Sequence, residues 1–266
     1  MSKINHAIYE IQKIDQMAKQ NSWLNRIHPL IKLVLSVYYI VLTVSFHKYD
    51  VEGLLGMFIY PVVIFIIGEL SLKEALYRMK VVLPLVCIVG VFNPFFDHTV
   101  VGQIGGIIVW GGVLSMITLM MKGILTVFAS YILIATTSIE GICYALRLLH
   151  IPKILVTQIL LIYRYITVLL EETKRITQAY ALRAPGQKGI AFQAWGPLVG
   201  QLLLRSFDRA DELYESMCLR GFLGEFPQGK PRQSSKGDML YFIFWLVILF
   251  LIRTYPVFRL IGGAFV

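Results

Sequence analysis

Five stretches of this chain, Ile31–Phe46, Val51–Gly68, Val81–Phe96, Gly111–Thr137 and Met239–Thr254, each carry no more than one Lys, Arg, Asp or Glu. Nothing else in the sequence restricts the fold as strongly. At 1.5 Å per residue, a helix over such a run approaches or crosses a hydrocarbon layer of about 30 Å, whereas a soluble domain has nowhere to bury five of them. With 57% hydrophobic and 15% charged residues, the chain reads as an all-α polytopic membrane protein with about five transmembrane helices. Its N-terminus, MSKINHAIYEIQKIDQMAKQ, is polar and lacks the apolar core and small-residue exit of a cleavable signal. Insertion is therefore expected to use the spans themselves.

The first span can begin at Pro29, since proline suits the first helical turn, where no donor is needed. The sequence GQIGGIIVWGG over Gly102–Gly112 holds too many glycines for helix and predicts a turn or short hairpin feeding the fourth span. A sixth span, made by splitting the fourth near Met121-Lys122-Gly123, is the alternative. Lys and Arg, counted loop by loop, bear on this choice. The N-terminal segment carries Lys3, Lys13, Lys19, Arg26 and Lys32; the second-to-third loop carries Lys73, Arg78 and Lys80; the segment before the last span carries thirteen, from Arg147 to Lys236. By contrast His47–Glu52 has only Lys48, and Asp97–Trp110 has none. Cations collect on the cytoplasmic side. Five spans with the N-terminus inside satisfy every loop, and six do not. Two of the charges within spans need an account of their own: Lys122 is expected to snorkel to the outer interface, and Arg253 to anchor the end of the last span there.

Between Ser138 and Asp238 no charge-free run is long enough to span, yet helical periodicity persists. A short helix is expected over Glu140–Leu149, ending before Ile151-Pro152. A second runs from Lys153 to Leu182, with Leu155, Ile159, Ile162, Ile166, Leu169, Thr173 and Ile176 at three- and four-residue steps. It stops at Ala184-Pro185-Gly186. A third opens at Gly196-Pro197 and ends at Leu219, with Leu202, Phe207, Leu213, Tyr214 and Met217 on one face and Arg205, Asp208, Arg209 and Glu212 on the other. A polar linker with Pro227, Gly229, Pro231, Ser234 and Ser235 comes next. The chain thus divides into an N-terminal membrane part (1–137), an amphipathic segment (138–238) and a C-terminal span (239–266).

Two of these helices end on an arginine beside a small residue, Leu182-Arg183-Ala184 and Leu219-Arg220-Gly221. Taken singly, each arginine reads as a cation placed against the negative end of its helix. Their repetition inside one non-spanning basic segment sets docking beside that reading, because a guanidinium offers five fixed donors and a small neighbour permits close approach, and the pattern alone leaves both open.

Other chemistry is poorly supported. The excess of 25 Lys and Arg over 16 Asp and Glu lacks the compact basic module of a nucleic-acid binder. Cys87, Cys143 and Cys218 stand apart, so neither a disulfide framework nor a zinc site is indicated. His6, His28, His47, His98 and His150 are dispersed, which argues against metal ligation by this chain. An intramembrane lipid or prenyl enzyme would need clustered carboxylates or a histidine-serine constellation. Glu69 and Glu74 flank a short loop instead, and Glu171-Glu172 adjoin on a helix where neighbours face apart. No phosphate-binding Gly-x-x-x-x-Gly-Lys-Ser/Thr loop is present either. The chain is expected to be non-catalytic.

The run Arg205-Ser206-Phe207-Asp208-Arg209-Ala210-Asp211-Glu212-Leu213-Tyr214-Glu215-Ser216-Met217-Cys218-Leu219-Arg220-Gly221-Phe222 resembles the transmembrane T component of energy-coupling factor (ECF) transporters, and more narrowly the cobalt-type family CbiQ. There the helix ends Met-x-x-Arg-Gly-aromatic. Leu182-Arg183-Ala184 is similar to the family's first arginine motif, departing from it at Leu182 and Pro185. His28-Pro29-Leu30-Ile31-Lys32 resembles an opening motif Asp-Pro-x-x-Lys, with histidine in place of the acid. Asn93-Pro94-Phe95, Thr136-Thr137-Ser138 and Ile151-Pro152 add weaker matches.

The resemblance implies a coupling subunit in a prokaryotic cell membrane. Its cytoplasmic coupling helices would place Leu182, Arg183, Ala184, Leu219, Arg220 and Gly221 in grooves of two ATP-binding-cassette ATPases. Their apolar faces would pack on a substrate-binding S component for cobalt or nickel. ATP would be used by the partner subunits, with no cofactor and no metal held by this chain. A T component shared among vitamin-specific S components is the alternative within the family.

Overall fold

The computed structural model describes residues 2–18, 20, 22–96, 100–104, 107–187, 189–224, 226 and 235–255. Lys19, His98, the linker residues Pro227, Gly229, Pro231 and Ser234, and the residues after Tyr255 lie outside them. In chain order the elements are α1 (Ser2–Ala18), a 3-10 turn (Leu24–Arg26), α2 (Pro29–Val44), α3 (Val51–Met57), α4 (Ile59–Ile67), α5 (Leu72–Phe96), β1 (Val100–Ile104), β2 (Ile107–Trp110), α6 (Gly111–Thr136), α7 (Ile139–Leu148), α8 (Lys153–Arg183), α9 (Phe192–Leu219) and α10 (Lys236–Thr254). They form two compact units, one of residues 18–138 and 232–266, the other of residues 1–17 and 139–231.

The first unit is the apolar one. Its core gathers Leu35, Tyr39, Leu54, Met57, Ile64, Leu125 and Leu249, all fully buried, from α2, α3, α4, α6 and α10. The Tyr60 ring lies 4.7 Å from Tyr39 and 4.8 Å from Trp245, edge-on to the latter. Proline explains two irregularities. Pro61 has no N–H for the carbonyl of Met57, where α3 ends, and the Tyr39 hydroxyl donates to that carbonyl instead at 2.9 Å. Pro84 likewise cannot serve the carbonyl of Lys80, and α5 bends by 53° between Lys80 and Val82. Beyond the bend, α5 lies close against α6 because Gly123 has no Cβ, which would stand 3.1 Å from Val86.

The expected hairpin is present, with β1 and β2 antiparallel and Ile104 opposite Ile107. Apart from it, the described residues bear out the all-α expectation. Helix α6 runs unbroken through Met121-Lys122-Gly123, which removes the split fourth span. Its 26 residues give about 39 Å and the 19 of α10 about 29 Å, enough to cross. The bent α5 qualifies as a pair, while α2 and the broken α3–α4 are apolar but shorter than eighteen residues. Lys122 reaches toward the His47–Glu52 loop, the side expected of it. Its Nζ turns to the end of α2, where Arg253 joins it.

The second unit differs in kind. It has three of the expected helices, with two corrections. Helix α9 opens at Phe192, not at Gly196-Pro197; a proline six residues into a helix forfeits only its bond to the Gln193 carbonyl, and Gln193 is exposed to solvent. Helix α8 has the length and apolarity of a membrane span, contrary to the expectation that this segment holds no such run. Only Lys153 and Arg164 interrupt its first eighteen residues. The described residues of the N-terminus form α1, which joins this unit. Helix α9 buries none of its residues, and α8 buries only Val156 and Thr157.

Candidate functional site: two exposed arginine turns

Helices α8 and α9 run antiparallel and meet where Arg205 donates to the Glu172 carboxylate, with Arg175 3.8 Å from the same group. On one side of that contact Ile162, Ile166 and Leu169 face Leu202, Leu213 and Met217 across an apolar groove of about 680 Å³. These are residues of the two periodic stripes. On the other side a smaller groove runs past Ile176, Tyr180 and Arg183 to Leu198. Along their axes Arg183 lies about 16 Å and Arg220 about 22 Å from the contact, in opposite directions.

The second arginine sits in a fully formed helix-ending turn. Arg220 is the C-cap of α9, Gly221 comes next with φ +79°, its N–H donates to the Cys218 carbonyl at 2.9 Å, and the Phe222 N–H donates to the Met217 carbonyl at 3.0 Å. This 6→1 and 5→2 pairing is the Schellman motif, which needs a residue in the left-handed region at Gly221. No atom lies within 4 Å of where a Cβ would stand there. The glycine is required by the turn and not by a tight fit within the chain. Its consequence is direction: the turn sends the segment after it back, where the Gly224 carbonyl accepts from Thr157 Oγ1 at 3.5 Å and the Phe226 carbonyl from Arg147 Nη1 at 3.4 Å. Phe222 and Phe226 pair at 5.2 Å. Leu219 and Leu223 stay outside, 90% and 93% exposed, on either side of an exposed Arg220.

The first arginine ends α8 differently. Pro185, with no N–H, bars a Schellman turn, so α8 closes on a single bond from the Ala184 N–H to the Tyr180 carbonyl at 3.0 Å, and Gly186 takes φ +96°. The Tyr180 hydroxyl orders the loop into α9, donating to Gln187 Oε1 at 2.8 Å and accepting from the Ala191 N–H at 3.3 Å. Arg183 is exposed, Leu182 is 84% exposed and Phe192, opening α9, 92%. Ala184 is half-buried.

All six residues singled out from the sequence therefore lie at two helix ends, three at each, and the fold keeps the two sets apart. Sequence reasoning missed Leu223, Phe192 and Tyr180. The signal for Leu223 was present, since Phe222-Leu223 is an apolar pair straight after a helix-ending glycine; nothing local marked Tyr180, whose role depends on the path of the loop. Elsewhere His28 caps α2, accepting from the Leu30 N–H at 3.3 Å, and His150 ends α7 with φ +61°.

The cobalt transport protein family, CbiQ, matches residues 20–231. EcfT of Lacticaseibacillus paracasei, an energy-coupling factor transporter transmembrane protein, is 29% identical over 231 residues, 77% of this chain and 82% of that protein. EcfT of Listeria innocua is 26% identical over 224 residues with the same shares. The nickel permease LarQ of Lactiplantibacillus plantarum is 28% identical over 119 residues, 43% of this chain and less than half, 44%, of LarQ. The family match takes in α2 to α9 and both arginine turns, leaving out α1 and α10. The chain belongs to the CbiQ family of cobalt transport proteins, transmembrane T components of energy-coupling factor transporters.

Proposed function

We propose that this chain couples two cytoplasmic ATP-binding-cassette ATPases to a membrane S component, through one arginine turn per ATPase. The observation that carries the reading is the pair of exposed arginines at opposite ends of the crossed helices α8 and α9, each flanked by leucine more than four-fifths exposed. A guanidinium beside an uncovered leucine supplies directed donors next to apolar surface that a partner can cover, and arginine is among the residues enriched at binding hot spots. Because α8 and α9 meet near Glu172 and Arg205, closure of two ATPases would act on the two far ends of one lever. The uncovered apolar groove between them is the surface offered to the S component.

Both turns must then lie in the cytoplasm, with 138–238 as a coupling domain between the N-terminal membrane part, 1–137, and a last span over 239–266. The thirteen cations from Arg147 to Lys236 support that side. If α8 crossed the membrane, it would carry both arginines and most of those cations outward. Neither ATP nor metal is assigned to this chain's own residues. The substrate favoured is cobalt or nickel, on the description of the matching family and the name of LarQ. A T component shared among several S components is the second reading, supported by the longer matches to two proteins named for the general ECF system.

The test is purification of the assembled complex carrying Arg183→Glu with Arg220→Glu. Both ATPases should be lost from the complex at unchanged expression of this chain. Undiminished ATPase recovery means that the arginines do not dock. The S component that co-purifies decides between the two substrate readings.

A further inference from the structure

We infer that α2 and α6 are locked into a rigid strut by two reciprocal lysines, each donating into the C-terminal carbonyls of the other helix, and that this strut is the fixed member against which the coupling helices work. Lys32, in the first turns of α2, is only 6% exposed, and its Nζ lies 2.5 Å from the carbonyl of Thr136, the last residue of α6. Lys122, near the middle of α6, places its Nζ 3.0 Å from the carbonyl of Val44, the last residue of α2, and 2.6 Å from that of Phe46. Arg253 of α10 completes the second end, donating to the Ser45 carbonyl at 3.3 Å with its guanidinium 4.3 Å from the Phe46 ring centre.

The chemistry is that of two liabilities cancelling. A helix C-terminus holds unsatisfied carbonyls and partial negative charge, and neither it nor a lysine tolerates hydrocarbon alone. Placed together, each satisfies the other. Geometry adds the mechanical consequence. Lys32 and Val44 are separated by about 18 Å of α2, and Lys122 and Thr136 by about 21 Å of α6, so the clamps close opposite ends of one antiparallel pair. One clamp would leave a pivot, whereas two remove both sliding and tilt. Immediately past the clamped Thr136 the chain leaves helix at Thr137 (φ −136°, ψ 120°), and at Ser138 one compact unit gives way to the other. Lys32 and Lys122 are thus positioning residues that hold α6 still up to that junction. The role as fixed member rests on the proposed coupling function; the strut itself does not.

The experiment uses the full complex in proteoliposomes, with this chain's cysteines replaced and nitroxides at the exposed Val37 of α2 and Ser130 of α6. Lysines are changed as Lys32→Met, Lys122→Met, both together, and both to arginine. With both methionines the label-to-label distance distribution should broaden about twofold, uptake per ATP hydrolysed should fall at least about fivefold, the lower end of ordinary site-to-site coupling, and arginine should restore both. If Lys32→Met prevents folding, Lys122→Met leaves the buried lysine in place and should still broaden the distribution. An unchanged width in Lys122→Met overturns the strut. Broadening with undiminished uptake per ATP leaves the strut and overturns its role as fixed member. Loss of the ATPases from the unmutated lysine background would strike the docking reading alone, since the distance measurement still judges the strut.

Discussion

Gly221 and His150 occupy the same place in the same kind of turn with opposite chemistry. After α7 the His150 N–H donates to the Arg147 carbonyl at 3.0 Å and the Ile151 N–H to that of Leu146 at 3.3 Å, the same Schellman pairing that ends α9. Gly221 takes φ +79° without a Cβ penalty, while His150 incurs one at φ +61°. Gly221→Ala should therefore cost about 1 kcal/mol and weaken ATPase recovery although Arg220 remains, because the turn that directs it loosens. His150→Gly should stabilise the chain by about 0.5–1 kcal/mol, raising the melting temperature in detergent by about 2 °C. Cysteine reactivity offers a second residue-scale measurement. Cys143 is buried, and burial first, then the Glu140 carboxylate, pushes its thiol above the usual range, whereas Cys218 is exposed. Maleimide at neutral pH should label Cys218 within minutes and leave Cys143 unmodified until the protein unfolds. The glycine was legible as a helix stop. That it is there to direct Leu223 outward was not, because the direction depends on bonds from Thr157 and Arg147, more than sixty residues away.

Among the elements, α8 and α9 owe their amphipathic stripes to the sequence, and a polar contact between Arg205 and Glu172 marks where they meet. Glu172 is one-fifth exposed and Arg205 half exposed, so the pair is worth about 0.5–1 kcal/mol rather than the several of a buried bridge. Glu172→Arg should loosen the crossing and speed proteolysis of the 184–191 loop by about threefold. Adding Arg205→Glu should recover the loss only in part, because the new arginine would stand one turn from Arg175. Periodicity found α7 and α8 to within a residue and the end of α9, but it misplaced the start of α9 by treating Pro197 as a first-turn residue. Proline was informative in another way in the apolar unit. Pro61 and Pro84 each deprive a carbonyl of its helical donor: at α3–α4 the Met57 carbonyl accepts from the Tyr39 hydroxyl instead, and α5 bends by 53°. That donor, Tyr39, is eighteen residues away in sequence and in no motif.

For the molecule as a whole, the proposed side of the membrane is open to direct measurement with a native residue. With Cys87 and Cys143 replaced by alanine, a membrane-impermeant maleimide should label Cys218 in inverted vesicles and not in right-side-out ones. The reverse pattern means that α8 crosses the bilayer and takes both arginines out of reach of ATPases. Length and apolarity alone admit α8 as a span, and only charge placement opposes it. By itself the sequence determined the apolar stretches, the helices dictated by periodicity and the two arginine ends, because these depend on composition and on neighbours within one or two turns. Tertiary structure alone decided that Lys122 meets the carbonyls at the end of α2 and that Lys32 meets the carbonyl at the end of α6. Each of those depends on which helix end a long side chain finds across the fold, at separations of up to about a hundred residues, where no local pattern in the chain carries the information.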